Sequence, residues 1–563
     1  MHDCDVLVIG GGPAGATCAS LLKRYRPEAR VVVLERDTFP RFHVGETLVS
    51  EINRVLVESG AYPKVDAAGF VRKYGATFKW GLGDARWDFL FGELEPLRPA
   101  EERHGPVQTT YTWHVDRARF DDILLRHAES LGADVRHGEH VVGLLHEDGR
   151  VVGVRLASGQ ELRARWVVDA TGQAGLLGSV RDRAYDPHLK NIAFWGYWRG
   201  ADLVEAWCGG ERSRAFICAH EVGWTWLFPI RDDLVSVGVV TSVARWKEQE
   251  GGDADAFYRE ALASSPELSH ILRDAELVRY EADGPMLYRI TDYSYLSGSI
   301  YQPGLLRTGD AAGFVDPILS VGCFLGLTSA RHLAYALNTL MDPANTLGEE
   351  RVLSSYQAQV SDTILAFREL TYFFYRFTER PDAWWQHARG LVAHAGLPRR
   401  ATDKQAFLMF ATGFAARRSV YREPTQAFDE PFFLDAFRRL VDPEGPTEVP
   451  ETHLAHDAVV AMRGEPTLVD AAVPHDGHGR MMPAIRVELP PDPEFPGERL
   501  IRRIHVPVSM GPLFSLVDGR RTVEELGDAL HTRLGVGEEH RRSVRRYTRQ
   551  VLEELVGRGL AGV

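Results

Sequence analysis

The chain has 563 residues, more than one hydrophobic core normally supports, so we expect two or three cores, or one large domain with an appendage. Its composition is 44% hydrophobic and 25% charged, as in ordinary globular proteins, and its formal charge of −13 gives no electrostatic reason to expect nucleic acid or an anionic membrane as a partner. The five cysteines contain no Cys-x-x-Cys spacing, which argues against a disulfide framework and against a bound metal. Without a signal pattern or a run of roughly 18 apolar residues, we expect a cytoplasmic protein.

The first predicted elements form a strand, a glycine-rich turn and a helix. Gly10, Gly12 and Gly15 give the spacing G-x-G-x-x-G, with Ala14 inside it, and Glu35 ends the next predicted strand. Such glycines let the backbone turn tightly and approach a pyrophosphate, whose charge rests on the helix N-terminus, while the acidic residue bonds a ribose hydroxyl. An unrelated glycine-rich turn would not explain the strand, the helix and the acidic residue together. The pattern predicts a dinucleotide-binding βαβ unit.

The middle of the chain is rich in predicted strands. Residues 134–172 read as a meander of short strands that ends in a buried strand at 166–170, and Val141 in this meander is a candidate cofactor-binding residue. In the following strands, alternation places Trp224 and Trp226 on one face. Taken alone, this pair indicates core packing more readily than a functional wall. Residues 304–337 then read as strand, loop and long helix.

The C-terminal third is predicted to be helical and aromatic, then irregular, then helical again. Thr522 and Glu525 form a capping-box pattern before an amphipathic helix, and a second amphipathic helix follows. We expect an α/β (α+β) fold with a Rossmann-like βαβ domain. The predicted domains are a discontinuous nucleotide-binding domain (1–180 and 280–350), a β-rich substrate domain (181–279), a helical region (351–440), a linker-like excursion (441–500) and a winged-helix-like appendage (501–563).

Two further segments point to FAD. "HVDRARFDDILLRHA", with Arg117, and "LLRTGDAAGFVDP", with Gly309 and Asp310, resemble the FAD-holding patterns of flavin monooxygenases of the hydroxybenzoate-hydroxylase type. Asp292 lies shortly before the second segment, and its carboxylate is a candidate to face the flavin. Where those hydroxylases carry a nicotinamide-related Asp-Gly signature, this chain has Ala and Thr between Asp169 and Gly172. The resemblance therefore implies that FADH2 comes from a separate NAD(P)H-dependent flavin reductase.

Four strings in order resemble the flavin-dependent halogenases. They are "FPRFHVGETLV", "GFVRKYGATFKWG", "WTWLFP" and "DPILSVGCFLG"; the third departs from the family's W-x-W-x-I-P by Phe228. The residues that this resemblance marks are Arg41 and Glu46 near the flavin, Lys73, Trp224, Trp226 and Pro229 in catalysis, and Ser320, Val321 and Gly322 at a halide site.

The family's chemistry gives these residues definite roles. FADH2 and O2 form a flavin C4a-hydroperoxide, which chloride or bromide attacks to give hypohalous acid. The resemblance implies that the indoles of Trp224 and Trp226 keep substrate away from the peroxide, and that a tunnel leads the acid to Lys73. Lys73 then either hydrogen-bonds the acid or becomes a haloamine, and burial favours its amine form.

The substrate is restricted by one departure from the tryptophan-type enzymes. Where those carry a glutamate before the halide-site serine, this chain has Leu319. The resemblance thus implies a non-tryptophan type, a chlorinase of a free or carrier- or peptide-tethered phenol, pyrrole or enolisable acyl group in secondary metabolism. Two alternatives stay open: an aromatic hydroxylase, and a non-catalytic FAD-binding scaffold that recruits peptides through its tail.

Overall fold

The computed structural model describes residues 2–80, 86–93, 107–176, 182–202, 213–220, 222–248, 252–291, 293–376, 454–475, 478–489, 502–557 and 561–563. Asp292 and the predicted helical residues beyond 376 lie outside these ranges. The chain divides into two compact units, one of Met1–Ala334 with Phe367–Pro381 and one of Tyr335–Ala366 with Asp382–Val563. The predicted α/β class is confirmed, whereas the finer division into domains stays a prediction.

The first unit contains a Rossmann-type sheet of eight strands. Its central strand Cys4–Ile9 pairs in parallel with Val31–Glu35 on one side and with Glu161–Asp169 on the other, because the intervening segments cross over the sheet. Buried Val and Leu side chains on these strands form its core. The remaining strands are Asp134–His137, Val141–Glu147, Arg150–Leu156, Tyr301–Gln302 and Leu305–Arg307.

A second sheet of nine strands in the same unit carries the tryptophan motif. Strand Gly223–Arg231 pairs antiparallel with Ser213–His220, which pairs in parallel with Val71–Lys79. The sheet's other strands are Arg86–Leu90, Thr112–His114, Asn191–Arg199, Leu234–Ser242, Glu276–Val278 and Tyr288–Thr291. A small third sheet consists of Arg183–Tyr185, Tyr295–Ser297 and Gly313–Phe314.

Helices and short 3-10 turns connect the strands of the first unit. Pro13–Tyr25 follows the glycine turn, and its Pro at the first position is pre-organised for a helix start. The other described helices are Ile52–Ser59, Tyr62–Asp66, Arg117–Ser130, Val243–Glu248, Ala254–Ala263 and Pro266–Ile271. Short 3-10 turns lie at Gly172–Ala174, Gly309–Ala311 and Pro317–Leu319. Two long helices, Gly322–Met341 and Glu349–Arg376, contribute residues to both units.

The second unit has its own core. Helices Val523–Leu534 and Arg541–Gly557 bury Leu526, Leu530 and Leu552 together, and the predicted capping box at Thr522 and Glu525 is confirmed. The unit's strands are Ala461–Met462, Thr467–His475, Arg480–Leu489, Arg502–Val506 and Ala561–Gly562, with 3-10 turns at Val508–Ser515 and Glu538–His540.

One stretch differs from the sequence-based expectation. Residues 441–500 are predicted to be a linker-like excursion, but Thr467–His475 and Arg480–Leu489 form a long antiparallel pair inside that range. The sequence does not indicate these strands, because prolines (Pro474 and Pro483) and short buried alanines such as Ala471 and Ala472 interrupt the alternation of apolar and polar residues.

Among the helices that the structure describes, none is both long and apolar enough to cross a bilayer.

Candidate flavin and halogenation site

A cavity of about 830 Å³ lies at the carboxyl ends of the Rossmann strands. This edge, where strands end and loops begin, is the usual place for a cofactor in an open α/β sheet. The first unit's second sheet supplies the opposite lining through Trp195, Trp226, Phe228 and Tyr288. The predicted residues that line the cavity are Gly10, Gly12, Ala14, Glu35, Arg41, Glu46, Arg117, Val141, Trp226, Gly309, Asp310, Ser320 and Gly322.

The glycine turn forms one end of the cavity. Gly10 has φ +103°, and a Cβ there would lie 2.4 Å from the carbonyl oxygen of Ala170, so no other residue fits. Gly15 lies just behind the lining, where a Cβ would be 2.0 Å from the Gly10 oxygen. The helix that starts at Pro13 has no side-chain cap, so its first-turn amides remain for an anionic ligand.

Charged side chains complete this end. Glu35 is buried and accepts hydrogen bonds from the amides of Gly11 at 2.7 Å and Asp37 at 2.8 Å, which fix its carboxylate at the end of its strand. Its oxygens retain lone pairs for a ribose hydroxyl. The Arg41 guanidinium lies against Gly12, 3.4 Å from the position of a Cβ there. The uncapped helix N-terminus and this cation both favour an anionic group such as a pyrophosphate, so the residues present suit FAD.

Arg117 organises the loop at the middle of the cavity. Its guanidinium donates to both Asp121 oxygens, at 2.8 and 3.0 Å, and to the carbonyl of Val44 at 2.5 Å. These bonds hold the segment that carries Glu46. Asp310 faces the same space, and desolvation raises the pKa of its carboxyl to about 6 although Arg117 opposes the rise.

The rings of the tryptophan motif, Trp224, Trp226 and Phe228, contact one another in a row that we call the ring wall. Phe228 stacks on Trp226 with centroids 6.0 Å apart and planes 13° apart, and Trp226 contacts Trp224 at 5.9 Å. Trp226 and Phe228 line the cavity, whereas Trp224 and Pro229 lie outside its lining. Phe228 departs from the family's motif, and its side chain continues the row of rings along the cavity.

Each indole N–H is anchored through a hydroxyl to a buried carboxyl. Trp224 Nε1 donates to the Tyr375 hydroxyl at 2.8 Å, which donates to Asp316 Oδ2 at 3.0 Å. Trp226 Nε1 donates to Ser236 Oγ at 3.2 Å, and Ser236 is hydrogen-bonded to Glu46.

Desolvation raises the pKa of both carboxyls, Glu46 and Asp316, to about 7. The sequence gives no indication of the roles of Tyr375 and Ser236, because no motif near either residue predicts a hydrogen bond to a tryptophan side chain.

Room for the Trp226 indole comes from the neighbouring strand. Gly238 is the direct partner of Trp226 in the antiparallel register, and a Cβ at Gly238 would lie 2.1 Å from the indole carbon Cζ2. The ring therefore lies flat over this glycine. An isolated glycine inside a strand pattern is the only sequence signal of such a close approach.

Lys73 is buried and does not line the cavity. Its side chain is 3% exposed, and Nζ donates to the carbonyl of Leu48 at 2.8 Å. Nζ also lies 5.8 Å from the centroid of the Phe91 ring. Desolvation lowers the pKa of Lys73 from 10.5 to about 7. An amine with this pKa is substantially neutral, and hence nucleophilic, near pH 7.

The turn proposed for halide precedes the long helix Gly322–Met341. Asp316 Oδ1 accepts from the Ile318 amide at 3.0 Å, and Ser320 takes the left-handed conformation with φ +60°. The Ser320 amide donates to the Pro317 carbonyl at 2.9 Å, which leaves the amides of Val321 and Gly322, at the helix start, as the better anion donors. Val321 itself is buried and, unlike its two neighbours, does not line the cavity.

Comparison with known proteins identifies the family. The tryptophan halogenase family model matches residues 5–104 and 95–437. A protein named tryptophan 2-halogenase from Chondromyces crocatus is 31% identical over 395 residues, covering 69% of this chain and 70% of its own. The 1H-pyrrole-2-carbonyl peptidyl-carrier-protein chlorinase of Pseudomonas fluorescens is 35% identical over 347 residues, covering 59% of this chain and 74% of its own.

A solved structure agrees with these sequence matches. The crystal structure of CmlS, a flavin-dependent halogenase, is 25% identical with a TM-score of 0.69, and the match covers 100% of this chain and 96% of CmlS. The order of the motifs, the α/β fold and these relatives agree with one another. The chain therefore belongs to the flavin-dependent halogenase family.

Proposed function

We propose that this protein is an FADH2-dependent halogenase that directs hypohalous acid to Lys73 for electrophilic halogenation of an electron-rich substrate. The observation that carries the proposal is the environment of Lys73, a buried lysine with a pKa lowered to about 7 that lies outside the lining of the flavin cavity. A structural lysine gains nothing from such burial, because desolvation makes its charge costly.

Hypohalous acid is formed at the flavin cavity, and the substrate is halogenated at Lys73. Gly12, Glu35 and Arg41 would hold reduced FAD in the cavity, and the bound cofactor would supply hypohalous acid from O2 and halide. The amides of Val321 and Gly322 hold the halide. Trp226 and Phe228 exclude an aromatic substrate from the cavity, so that the small acid is the species that leaves it.

Lys73 then reacts with the acid to form a haloamine, which keeps the halogen on its nitrogen. The neutral amine attacks the halogen, the nitrogen–halogen bond forms as the oxygen–halogen bond breaks, and a proton from the nitrogen joins the departing hydroxide to give water. An electron-rich carbon of the substrate takes the halogen from this haloamine and loses its own proton. Alternatively, the protonated amine hydrogen-bonds the acid and polarises it for the same attack.

The substrate class follows from what is missing near the halide turn. Leu319 is buried at the place where tryptophan-type enzymes carry a glutamate. Without that carboxylate to stabilise a cationic intermediate, the substrate must activate itself, as a phenolate or pyrrole does. A pyrrole or acyl group tethered to a carrier protein is supported by the similarity to the pyrrole-carbonyl chlorinase.

The test is a coupled assay with a flavin reductase, NADH, O2, chloride or bromide, and free phenols or a pyrrolyl-loaded carrier protein. Replacement of one hydrogen by one halogen, seen by mass spectrometry, supports the proposal. A product with one added oxygen would instead support the aromatic hydroxylase. FAD binding without either product would support the non-catalytic FAD-binding scaffold. The Lys73→Met variant is expected to bind FAD and oxidise FADH2 but form no halogenated product.

A further inference from the structure

A cluster of buried polar atoms adjoins both the lining of the flavin cavity and Lys73. The His114 side chain is fully buried, and neither ring nitrogen has a hydrogen-bond partner in the part of the chain that the structure describes. Thr47 is 6% exposed as a residue, and its buried hydroxyl likewise has no hydrogen-bond partner among the described residues. Burying such groups without partners is costly, so their retention calls for a ligand or an ordered water.

The backbone brings these side chains together. Thr47 and His114 face each other in an isolated antiparallel bridge, and directly opposite residues carry their side chains on the same face, with Cβ atoms about 4.5–5.5 Å apart. On its other side, His114 pairs with Val71, two residues before Lys73, so His114 and Lys73 also share a face. Lys73 Nζ reaches the carbonyl of Leu48, the neighbour of Thr47.

The same cluster touches the ring wall. His114 stacks on Phe228 with centroids 6.0 Å apart and planes 23° apart. Thr47 and Phe228 both line the cavity, whereas His114 and Lys73 do not. A small molecule that leaves the cavity between Thr47 and Phe228 therefore contacts His114, whose side chain shares a face with that of Lys73.

We propose that Thr47 and His114 form a polar subsite that binds hypohalous acid on its way from the flavin cavity to Lys73. This inference rests on the proposed function and adds the residues that guide the acid. The acid has one O–H donor and lone pairs on the same oxygen, which match a neutral imidazole and a hydroxyl, each able to donate and to accept.

The imidazole is available for this role because it stays neutral. Burial, reinforced by the charge of Lys73, holds the pKa of His114 well below 6.5. No bond is made or broken at the subsite. Water occupies it between turnovers, and the acid displaces a molecule of similar size and hydrogen-bonding capacity.

Two near-isosteric variants test the subsite. His114→Phe keeps the stack on Phe228 and removes both nitrogens, and Thr47→Val removes only the hydroxyl. Loss of one orienting hydrogen bond corresponds to a fall of about fivefold to tenfold in halogenated product per FADH2 oxidised. We expect this fall in each variant, with unchanged FADH2 oxidation and a matching rise in hypohalous acid trapped by a scavenging amine in solution.

The control is His127→Phe, because His127 is a buried histidine outside the cavity lining whose Nε2 is 2.9 Å from the Ser59 carbonyl oxygen. It should leave the product per FADH2 unchanged. Unchanged product per FADH2 in His114→Phe would overturn the subsite. A raised KM for the acceptor, with no additional trapped acid, would also overturn it by showing that His114 contacts the acceptor instead.

A second readout does not depend on turnover. A high-resolution crystal structure of the FAD-bound chain should show an ordered water bonded to Thr47 Oγ1 and a His114 ring nitrogen, and His114→Phe should lack it. An anhydrous contact between these side chains in the native protein would contradict the subsite. If the native enzyme halogenated no acceptor, the proposed function would fail, and the water would still report on the polar site itself.

Discussion

The buried amine of Lys73 should lower the stability of the fold, and Lys73→Met measures that cost. The pKa drop from 10.5 to about 7, at about 1.4 kcal/mol for each pH unit, corresponds to about 5 kcal/mol of unfolding free energy lost when both states are protonated. Methionine fills a similar volume without a charge. It leaves the Leu48 carbonyl without its donor, which costs about 1–3 kcal/mol, so the variant should be more stable by about 2–4 kcal/mol at pH 6.5.

The free energy of unfolding depends on pH because the folded and unfolded states bind protons differently at Lys73. Between pH 7 and 10.5 the unfolded lysine holds a proton that the folded lysine has released, so the stability of the native protein rises with pH across this window. Below pH 7 both states are protonated and the full cost remains. The advantage of methionine should therefore be largest at pH 6.5 and shrink by pH 9.5.

Urea unfolding of FAD-bound protein, followed by flavin fluorescence at both pH values, measures this difference. Lys79→Met is the matched control, since Lys79 lies on the same strand but forms an ion pair with Glu267. That control should lose stability rather than gain it. A Lys73→Met variant that is less stable than the native protein at pH 6.5, or whose difference does not vary with pH, would refute the desolvated amine.

Three other changes address the wall and the cofactor. Tyr375→Phe leaves the buried Trp224 N–H without its acceptor, so we expect a loss of about 1–3 kcal/mol, checked by urea unfolding, and more peroxide released per FADH2 in a peroxidase assay. Gly238→Ala forces the Trp226 indole to move; an unfolding free energy lower by about 1–3 kcal/mol is expected, and an unshifted indole in its crystal structure would contradict this. Glu35→Ala removes the acceptor of the Gly11 and Asp37 amides, and FAD affinity measured by fluorescence quenching should fall about tenfold or more.

Local sequence determined the parts of this protein whose physics is local. The glycine spacing, the strand before it and the helix after it define the nucleotide turn, because only glycine adopts φ +103° against the Ala170 carbonyl. The capping box at Thr522 is equally local, since its two hydrogen bonds join residues three positions apart. Resemblance to a known family added Lys73 and Trp226, whose own neighbours in the chain support only buried strands.

Tertiary structure decided how those residues relate to one another. Strand Val71–Lys79 and strand Gly223–Arg231 both flank Ser213–His220 in one sheet, which brings Lys73 near a ring wall some 150 positions away in the chain. Only the folded structure shows what three further groups contact: the Tyr375 hydroxyl and Gly238 contact the indoles, and the His114 imidazole stacks on Phe228. Their partners are distant in sequence. Burial lowers the pKa of Lys73 and leaves His114 without a described partner. This burial results from the packing of the whole sheet and its loops, so no short stretch of the chain predicts it.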